Sequence, residues 1–410
     1  MSRYYIGIDD HDSPERGCTT HFSFILIKKL EKLNVKLVGY PNLVRLNPNI
    51  PWKTRGNAAV SLTIETDRDQ KELLDIIWNE SLSYVHEISK GPLYKRSPGV
   101  AVVRGNRESL NSFYWKAVSD VVTPEYLKIV LNKFQISWIG GRGVIGSLAA
   151  IGFQGTEGTF ELLTYRKETN WERRRDLDLN SLVEYDERFF PKVYANVDYV
   201  EKSPMILSHG KDPVFFGLRG TEPDILLKGV QMLRFNEEIE GYLIFRTNQG
   251  SDDHLKILGS HPYQSGGEEL VVKSTRVLEG GDSEIITDKV PVIVYKETGE
   301  LNAASRLLKT GDVIRVYGAL KPSRKFGLIL EAERMEVIDL KRDLVYLNPK
   351  CPTCNGSSES LGRGKGFRCR RCGFRFHGEK QVREVDRKLS LGLYQTRKYR
   401  HLTRPIFWIQ

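Results

Sequence analysis

The sequence predicts a multidomain protein in which mixed α/β domains come first and β-rich domains follow. Three observations support this fold class. The chain has 410 residues, a length that suggests about two to four domains of ~100–200 residues. The spacing of apolar residues changes near residues 158 and 263, and two Cys-x-x-Cys motifs follow in the last part of the chain. We therefore predict domains at 1–157, 158–262, 263–344 and 345–410.

The composition is typical of a soluble globular protein, with 40% apolar and 28% charged residues. No apolar run reaches the ~18 residues that a membrane span needs. The N-terminal sequence MSRYYIGIDDHDS has carboxylates where a signal peptide needs an apolar core. We therefore expect a cytoplasmic protein with no membrane partner.

The net charge of +10 is concentrated in the last part of the chain. Residues 361–410 contain 14 Lys and Arg against 3 Asp and Glu, a net charge of +11, and the other 360 residues hold 48 basic and 49 acidic groups. A neutral body with a strongly basic end indicates a polyanionic partner, and we favour nucleic acid. The alternative is a solvated tail that only improves solubility.

The first domain alternates strand and helix patterns. Residues 4–8 (YYIGI) are an apolar run typical of a short buried strand, which ends at Asp9 and Asp10. Apolar residues recur at helical spacing from Thr19 to Leu33. The remaining predictions are strands at Val35–Tyr40 and Ala58–Ile64, helices at Gln70–Val85, Leu110–Val121 and Glu125–Phe134, and a glycine-punctuated apolar stretch at Trp138–Gly152.

The second domain has the order β-α-β-β-α-β, which is the pattern of a ferredoxin-like fold. Its predicted segments are Phe160–Tyr165, Leu182–Phe189, Val193–Val200, Val214–Leu218, Pro223–Leu233 and Tyr242–Arg246. Other mixed α/β folds share this pattern. Arg219 follows the third strand, where it could hold a phosphate or a base edge, or lie in an ordinary turn.

The third domain is rich in short strands separated by turn signals. The strands are predicted at Glu269–Val277, Glu284–Ile286, Val290–Tyr295, Asp312–Leu320 and Gly327–Val337, with a possible helical connection at Arg306–Leu308. Five such strands suit a small β-barrel of the OB-fold type, and OB-folds commonly bind single-stranded nucleic acid or tRNA loops. A β-barrel without a ligand is the alternative.

The last domain carries four cysteines with the spacing of a structural zinc site. Two Cys-x-x-Cys pairs, 14 residues apart, place four thiolates for tetrahedral Zn²⁺: Cys351, Cys354, Cys369 and Cys372. All four positions are filled by sulfur, so this zinc is not catalytic. Arginines interleaved with phenylalanines surround the site and suit phosphate contacts and base stacking, although the phenylalanines could simply pack the small domain: Arg368, Arg370, Arg371, Arg375, Phe367, Phe374 and Phe376.

Three aspartates within four residues follow the first strand. Asp9, Asp10 and Asp12 would repel one another, and a cation would relieve that repulsion. Mg²⁺ prefers oxygen ligands and bridges phosphates, so this cluster predicts a metal–phosphate site. Thr19 and Thr20 lie at the predicted start of the following helix. The alternative is that Asp12 or Thr19 only caps that helix.

Two glycine-containing loops could complete a phosphate site. The segment at 140–146 contains Gly141, Arg142, Gly143 and Gly146 and could form a phosphate-binding nest at the start of a helix over Ser147–Ile151. The second loop contains Lys53, Arg55, Gly56 and Asn57, which offer two cations and an amide beside a glycine. Ordinary turns are the alternative for both, because a lone glycine pattern is weak evidence.

Five segments of this chain resemble one family along nearly its whole length. They are GIDDHDS with GCTT, YPNLVRLNPNIPWKTRGNAAV, GRGVIGSLAAIG, DPVFFGLRG and FRTNQGSDDH. Together they resemble the archaeal agmatidine-forming enzymes, the 2-agmatinylcytidine synthetases of isoleucine tRNA. The resemblance implies a kinase-like ATP-binding catalytic domain, a ferredoxin-like domain, an OB-fold and a zinc ribbon in that order. One departure is visible, because the family usually has DDTDS and this chain has His11 in place of the threonine.

The resemblance also implies a reaction. The family attaches agmatine to C2 of the wobble cytidine of the isoleucine tRNA with a CAU anticodon, so that AUA is decoded as isoleucine. ATP is cleaved to AMP and phosphate, phosphorylation of the C2 oxygen makes it a leaving group, and the agmatine amine displaces it. The target base must leave the anticodon stack to be reached.

Residue roles follow from the same resemblance. Asp9, Asp10 and Asp12 would hold Mg²⁺ on the polyphosphate, and Thr19 or Thr20 would be phosphorylated, of which we favour Thr19. ATP contacts are assigned to Lys53, Arg55, Gly56, Asn57, Gly141, Arg142, Gly143 and Gly146. Contacts to tRNA are assigned to Arg219, Arg368, Arg370, Arg371 and Arg375. The agmatine site cannot be chosen among 52 acidic residues.

The motifs allow two other functions. A non-catalytic nucleic-acid-binding protein with an OB-fold and a zinc ribbon explains the second half of the chain but leaves the aspartate cluster unused. An ATP-dependent nucleic-acid ligase needs a nucleophilic Lys in a Lys-x-Asp-Gly motif. The nearest match, residues 341–344 (KRDL), lacks the glycine and follows the barrel.

Overall fold

The computed structural model describes residues 1–53, 56–155, 158–255, 258–397 and 401–409. The chain forms two compact units. The first comprises residues 1–267, 317–322 and 398–410, and the second comprises residues 268–316 and 323–397. None of the helices in these residues combines the length and the apolar composition that crossing a membrane requires.

A mixed sheet of nine strands forms the framework of the first unit, with the order β10-β7-β11-β3-β4-β1-β5-β6 and β2 beside β4. Every pair in it is antiparallel except β11 and β3, which run parallel. Strands from both of the first two predicted domains belong to this one sheet, and the division between those domains stays a prediction. The strands of this part of the chain are β1 (Ser2–Asp9), β2 (Lys36–Leu37), β3 (Asn42–Arg45), β4 (Ala58–Thr66), β5 (Gly99–Arg104), β6 (Ile136–Gly140), β7 (Thr159–Arg166), β8 (Val197–Asp198), β9 (Ser203–Pro204), β10 (Val214–Gly220) and β11 (Ile239–Thr247).

Successive side chains along each strand point to opposite faces of this sheet, and both faces carry apolar side chains. Helices therefore cover both faces. Ile6 and Ile8 face the helices α1 and α2, whereas Ala101 and Val103 face α3 and α5. The seven helices predicted before residue 262 are confirmed to within three residues at each end, except that α5 starts four residues before the predicted Ser147. The helices are α1 (Thr19–Lys32), α2 (Gln70–Ser83), α3 (Asn111–Ser119), α4 (Pro124–Lys133), α5 (Gly143–Gly152), α6 (Leu179–Phe189) and α7 (Pro223–Met232).

The predicted strand Val193–Val200 is wrong. In its place the chain makes one isolated bridge, from Val193 to Gly220, and the two-residue strand β8, which pairs with β9. The backbone is interrupted at Ala195, whose φ of 52° lies in the left-handed region. The other three predicted strands of this region form β7, β10 and β11, with α6 and α7 packed against them.

A closed five-stranded barrel follows. Its strands are β12 (Ser265–Val277), β13 (Ser283–Thr287), β14 (Val292–Val294), β15 (Val313–Ser323) and β16 (Gly327–Asp339). Their order is β14-β13-β12-β15-β16, and the parallel pairing of β14 with β16 closes the cylinder. All five predicted strands are therefore confirmed.

The helix predicted at Arg306–Leu308 is wrong. The helical connection is α8 (Glu300–Ser305), which starts after Gly299 and ends one residue before the predicted segment. Leu301 and Ala304 are buried and three residues apart, so they lie on one face of α8. The apolar residues that anchor the helix therefore come before the predicted segment in the chain.

Short strands carry the four cysteines. A three-stranded sheet of β18, β19 and β20 and a two-stranded ladder of β17 and β21 form this part of the chain, and β22 extends the barrel at β16. The strands are β17 (Asp343–Leu347), β18 (Ser358–Ser360), β19 (Phe367–Cys369), β20 (Arg375–Phe376), β21 (Gln381–Val385) and β22 (Gly392–Gln395).

Candidate active site

The aspartate cluster lies where β1 ends against the first turns of α5. Glycines allow this close crossing. A Cβ on Gly7 would lie 2.1 Å from the carbonyl oxygen of Ser147, and a Cβ on Gly146 would lie 1.9 Å from Oδ2 of Asp9. The chain turns directly afterwards at Asp10, whose φ is 64°. The Asp9 carboxylate is therefore held in contact with α5 because position 146 has no side chain.

The carboxylates of this cluster are crowded, and one guanidinium, that of Arg96, lies 3.9 Å from Oδ2 of Asp12. Burial, with the neighbouring charge of Asp10, raises the pKa of Asp9 well above its ordinary value. Oδ2 of Asp10 accepts a hydrogen bond from the backbone N–H of Ser97 at 2.7 Å. Its Oδ1 is buried and accepts no hydrogen bond from the described residues; the guanidinium of Arg96 is 4.0 Å away. A buried carboxylate oxygen that accepts no hydrogen bond from the described residues, beside a second carboxylate, fits a hard divalent cation such as Mg²⁺.

A cleft opens at this cluster, and its lining includes residues of the aspartate cluster and of both predicted glycine loops. This acidic cleft is lined by Asp9, Asp10, Lys53, Asn57, Arg142, Gly143 and Gly146, together with apolar side chains such as Trp52 and Ile50. Residues from the aspartate cluster and from both glycine loops therefore meet in one place. Arg55 lies outside the described residues.

The predicted nest at the start of α5 is already bonded within the protein. The backbone N–H of Arg142 donates to Oγ of Ser97 at 3.1 Å, and that of Gly143 donates to the carbonyl oxygen of Ser97 at 2.8 Å. Gly141 packs against the same serine, because a Cβ there would lie 1.9 Å from its Oγ. The side chains of Arg142 and Lys53 line the cleft and carry positive charge, whereas these N–H groups are already bonded within the protein.

A second cavity, of about 340 Å³, opens beside the cleft at the start of α1. This threonine cavity is lined by Asp12, Cys18, Thr19, Thr20, Arg45, Gly56, Glu161, Asp212, Arg219 and His401, among others. Oγ1 of Thr19 accepts a hydrogen bond from the backbone N–H of His11 at 3.3 Å. Oγ1 of Thr20 lies 3.0 Å from Sγ of Cys18, a thiol whose pKa burial raises to about 12. Both hydroxyls border the cavity.

A buried ion-pair network forms one wall of the threonine cavity. Oε2 of Glu161 lies 3.3 Å from Nη2 of Arg45, and Oε1 lies 3.1 Å from Nε of Arg219. Burial alone would raise the pKa of Glu161, but the two guanidinium groups hold it below its ordinary value. This network holds two cations against one anion and is therefore net positive, and Asp12 and Asp212 also line the cavity. Arg219 is therefore engaged with Glu161 here.

His11 serves the core and lines neither cavity. Its ring stacks on Phe22 with 4.2 Å between the centroids, and its Nε2 lies 2.7 Å from Oγ of Ser81. Burial lowers its pKa to about 3, so the ring is neutral. The family's threonine is thus replaced here by an aromatic group that packs in the core against Phe22.

The four cysteine sulfurs converge as zinc ligands do. All lie within 4.8 Å of one another. Sγ of Cys369 accepts from the backbone N–H of Arg371 at 3.3 Å and of Cys372 at 3.4 Å. These N–H groups lower the pKa of Cys369 to about 6, and the N–H of Cys372 has the largest effect. The lowered pKa favours the thiolate, which is the form that binds Zn²⁺. Four convergent thiolates with backbone donors fit a structural zinc ion.

Around the zinc cluster, the predicted tRNA-binding arginines are exposed. Arg368 lies 2.9 Å and Arg370 3.7 Å from Glu359, so part of their charge is paired. Arg371 and Arg375 are also exposed. Among the phenylalanines, Phe367 is buried and packs the domain, whereas Phe374 is 47% exposed.

Several residues of these sites were not predicted from the sequence. Ser97 holds both Asp10 and the start of α5, and Glu161 with His401 forms part of the threonine cavity. Ser97 precedes Pro98 and Gly99, a turn signal before a strand. Glu161 and His401 carry no local signal, because their partners are distant in the chain.

Comparison with known proteins gives consistent matches across the chain. Family domain profiles match residues 5–139 (TiaS TCKD domain), 141–254 (TiaS FLD domain) and 348–389 (TiaS C-terminal zinc ribbon domain). The isoleucine-tRNA 2-agmatinylcytidine synthetase TiaS of Saccharolobus islandicus is 46% identical, over 99% of this chain and 93% of the relative. That of Pyrococcus horikoshii is 35% identical, over 98% and 96%.

Solved structures match over the same length. The crystal structure of TiaS in complex with isoleucine tRNA and ATP has a TM-score of 0.89 at 32% identity, covering 99% of this chain and 97% of the other. That of TiaS in complex with isoleucine tRNA, AMPCPP and agmatine has a TM-score of 0.86 at 30% identity, with the same coverage. This chain therefore belongs to the TiaS family of isoleucine-tRNA 2-agmatinylcytidine synthetases.

Proposed function

We propose that this protein attaches agmatine to C2 of the wobble cytidine of the CAU-anticodon isoleucine tRNA, using ATP. The observation that carries the proposal is that the short segment after β1 supplies lining residues to two cavities. Asp9 and Asp10 line the acidic cleft, and Asp12, Thr19 and Thr20 line the threonine cavity. A phosphoryl donor and an amine acceptor can thus approach one short segment from two sides. We expect this reaction in the cytoplasm.

ATP belongs in the acidic cleft. The side chains of Lys53 and Arg142 supply positive charge for the polyphosphate, and Asn57 supplies an amide. Asp9, Asp10 and Asp12 would hold Mg²⁺, which neutralises phosphate charge when it is bound. Gly143 and Gly146 have no side chains, so the polyphosphate would approach the backbone closely at these positions. Gly56 lines the threonine cavity and not the acidic cleft. The role assigned to Arg55 stays a prediction.

The threonine cavity suits the target base and agmatine. Phosphorylation of the C2 oxygen makes it a leaving group; the agmatine amine then forms the C2–N bond while the C2–O bond breaks and phosphate leaves. Agmatine is cationic at both ends, so we place it toward Asp12 and Asp212, away from Arg45 and Arg219. Both threonines line the cavity, and of the two we favour Thr19, the first of the pair, for phosphorylation.

The rest of the chain would hold the tRNA. We propose that the domains at 1–157, 158–262, 263–344 and 345–410 are kinase-like, ferredoxin-like, OB-fold and zinc ribbon with a basic tail, respectively. The proposed tRNA contacts remain Arg368, Arg370, Arg371 and Arg375. Arg219 is paired with Glu161 in the lining of the threonine cavity, so it would contact RNA only there. A non-catalytic nucleic-acid-binding role would leave the buried aspartates and both cavities without a use.

Turnover with defined substrates tests this proposal. Wild-type protein is incubated with ATP, agmatine and unmodified CAU-anticodon tRNA, and digested tRNA is analysed by mass spectrometry. We expect agmatine on one cytidine only when all three substrates are present; no mass change would refute the proposal.

The aspartate role is tested by substitution. Asp9→Asn should abolish turnover and leave tRNA binding largely intact, because the lost charge faces the cleft. Asp75→Asn is the matched control, since Asp75 is an exposed acid on α2. Full activity of Asp9→Asn would contradict the Mg²⁺ assignment.

A further inference from the structure

One histidine near the end of the chain is built into the wall of the threonine cavity. The carbonyl oxygen of His401 accepts from the backbone N–H of Gly250 at 3.0 Å, and that of Leu402 accepts from the N–H of Asp252 at 2.9 Å. The Leu402 side chain is 1% exposed and packs in the core beneath the sheet. These bonds fix the position of the His401 backbone. None of the predicted roles uses this side chain.

The hydrogen-bond network determines which ring nitrogen of His401 carries the proton. The carboxylate of Glu161 can only accept, so Nε2 of Gln249 donates to it at 2.5 Å. Oε1 of Gln249 then faces Nδ1 of His401 at 3.0 Å and can only accept. His401 must therefore carry its proton on Nδ1, which leaves a lone pair on Nε2.

That lone pair is free to meet a ligand. Nε2 of His401 makes no hydrogen bond with the described residues and is not among their buried unsatisfied atoms. A Cβ built on Gly56, another residue of the cavity lining, would lie 3.9 Å from it. Burial and the adjacent cations Arg45 and Arg219 lower the pKa of His401 well below its ordinary value, so the ring stays neutral.

The surrounding charge selects what Nε2 can accept. Arg45 and Arg219 disfavour a cationic donor at this wall, so the amine and guanidinium of agmatine are excluded from it. A neutral N–H donor remains, and the target cytosine has one in its N4 amino group. Uracil has an acceptor oxygen at that position, which would face the lone pair without a proton between them.

We propose that His401 is a specificity-determining residue that accepts a hydrogen bond from the N4 amino group of the target cytosine. This inference rests on the proposed function. It assigns to the last described segment of the chain a direct contact with the base.

A cycle that combines an enzyme change with a substrate change tests this contact. The tRNA carries at its wobble position either cytidine or the pyrimidin-2-one ribonucleoside, which is cytidine without the N4 amino group. Transfer of labelled agmatine is measured for wild type and His401→Ala, with His261→Ala as an exposed-histidine control. We expect that removing the amino group lowers kcat/KM about 10-fold more in wild type than in His401→Ala.

The alternatives give different results. Additive effects of the two changes, or a rise in the KM for agmatine without coupling to the amino group, would overturn the inference. His401→Leu fills the space without an acceptor and gives the same coupling measurement if the alanine variant does not fold. If wild type transfers no agmatine to the cytidine tRNA, the proposed function fails and this inference with it, whereas transfer with additive effects overturns this inference alone.

Discussion

Replacing Gly146 with alanine tests whether contact between Asp9 and α5 is needed for catalysis. The new Cβ would lie 1.9 Å from Oδ2 of Asp9, and contacts below 3.0 Å are not tolerated, so the carboxylate must retreat by about 1 Å. A displacement of this size at reacting groups costs on the order of 100-fold in rate. The crowding itself should lower the unfolding free energy by about 1–3 kcal/mol. We therefore expect kcat for agmatine transfer to fall about 100-fold in a protein that still folds.

The assay is single-turnover transfer of labelled agmatine at saturating ATP and tRNA, with urea unfolding in parallel. Gly158→Ala is the matched control, because the nearest atom to its Cβ would be 3.9 Å away. Near-normal kcat in Gly146→Ala would refute the reasoning, since it would show that the position of Asp9 does not matter. Equal rate losses in both variants would refute it as well.

Three further predictions concern the other buried groups. Cys369→Ser should reduce bound zinc from about one ion per chain to nearly none and raise the Kd for tRNA without changing ATP binding; retained zinc would contradict the site. Glu161→Gln leaves two buried guanidinium groups without their anion and should lower the unfolding free energy by about 3 kcal/mol in urea titrations. Asp312 is buried and bonded through both oxygens to Arg387, at 3.1 and 2.7 Å. Burial would raise the pKa of Asp312, but Arg387 and two backbone N–H groups hold that pKa below its ordinary value. The ion pair therefore stabilises the second unit above about pH 4, and its contribution is lost as the pH falls through the lowered pKa. Arg387→Ala should lower stability at pH 7 and reduce this acid-dependent loss, measured as unfolding free energy against pH; an unchanged pH profile would contradict it.

The sequence predicted those features that depend on neighbours in the chain. Apolar spacing located α1 and α2 closely, turn signals located all five barrel strands, and cysteine spacing located the metal cluster. Local patterns failed where the backbone changes conformation without a glycine or proline, as at Ala195. The predicted strand there reduces to one isolated bridge and the two-residue strand β8.

The candidate site likewise contains residues that local sequence patterns identify and residues that they do not. Asp9 and Asp10 could be recognised because three acids cluster at a strand end. Ser97 could not, because it acts on Asp10 across 87 residues of chain. The same holds for Glu161, whose partner Arg45 is 116 residues away. No periodicity encodes pairings of this kind; only the folded sheet brings their members together.

The anchoring of residues 401–409 in the first unit bears on how the protein is made. His401 contacts Gln249 across 152 residues, so the barrel and the cysteine domain are synthesised between the two partners. Translation runs from the N-terminus, and the acidic cleft can form while the ribosome is still adding the second unit. The wall of the threonine cavity closes only after that unit has emerged. A nascent chain can therefore form the acidic cleft before residue 401 completes the wall of the threonine cavity.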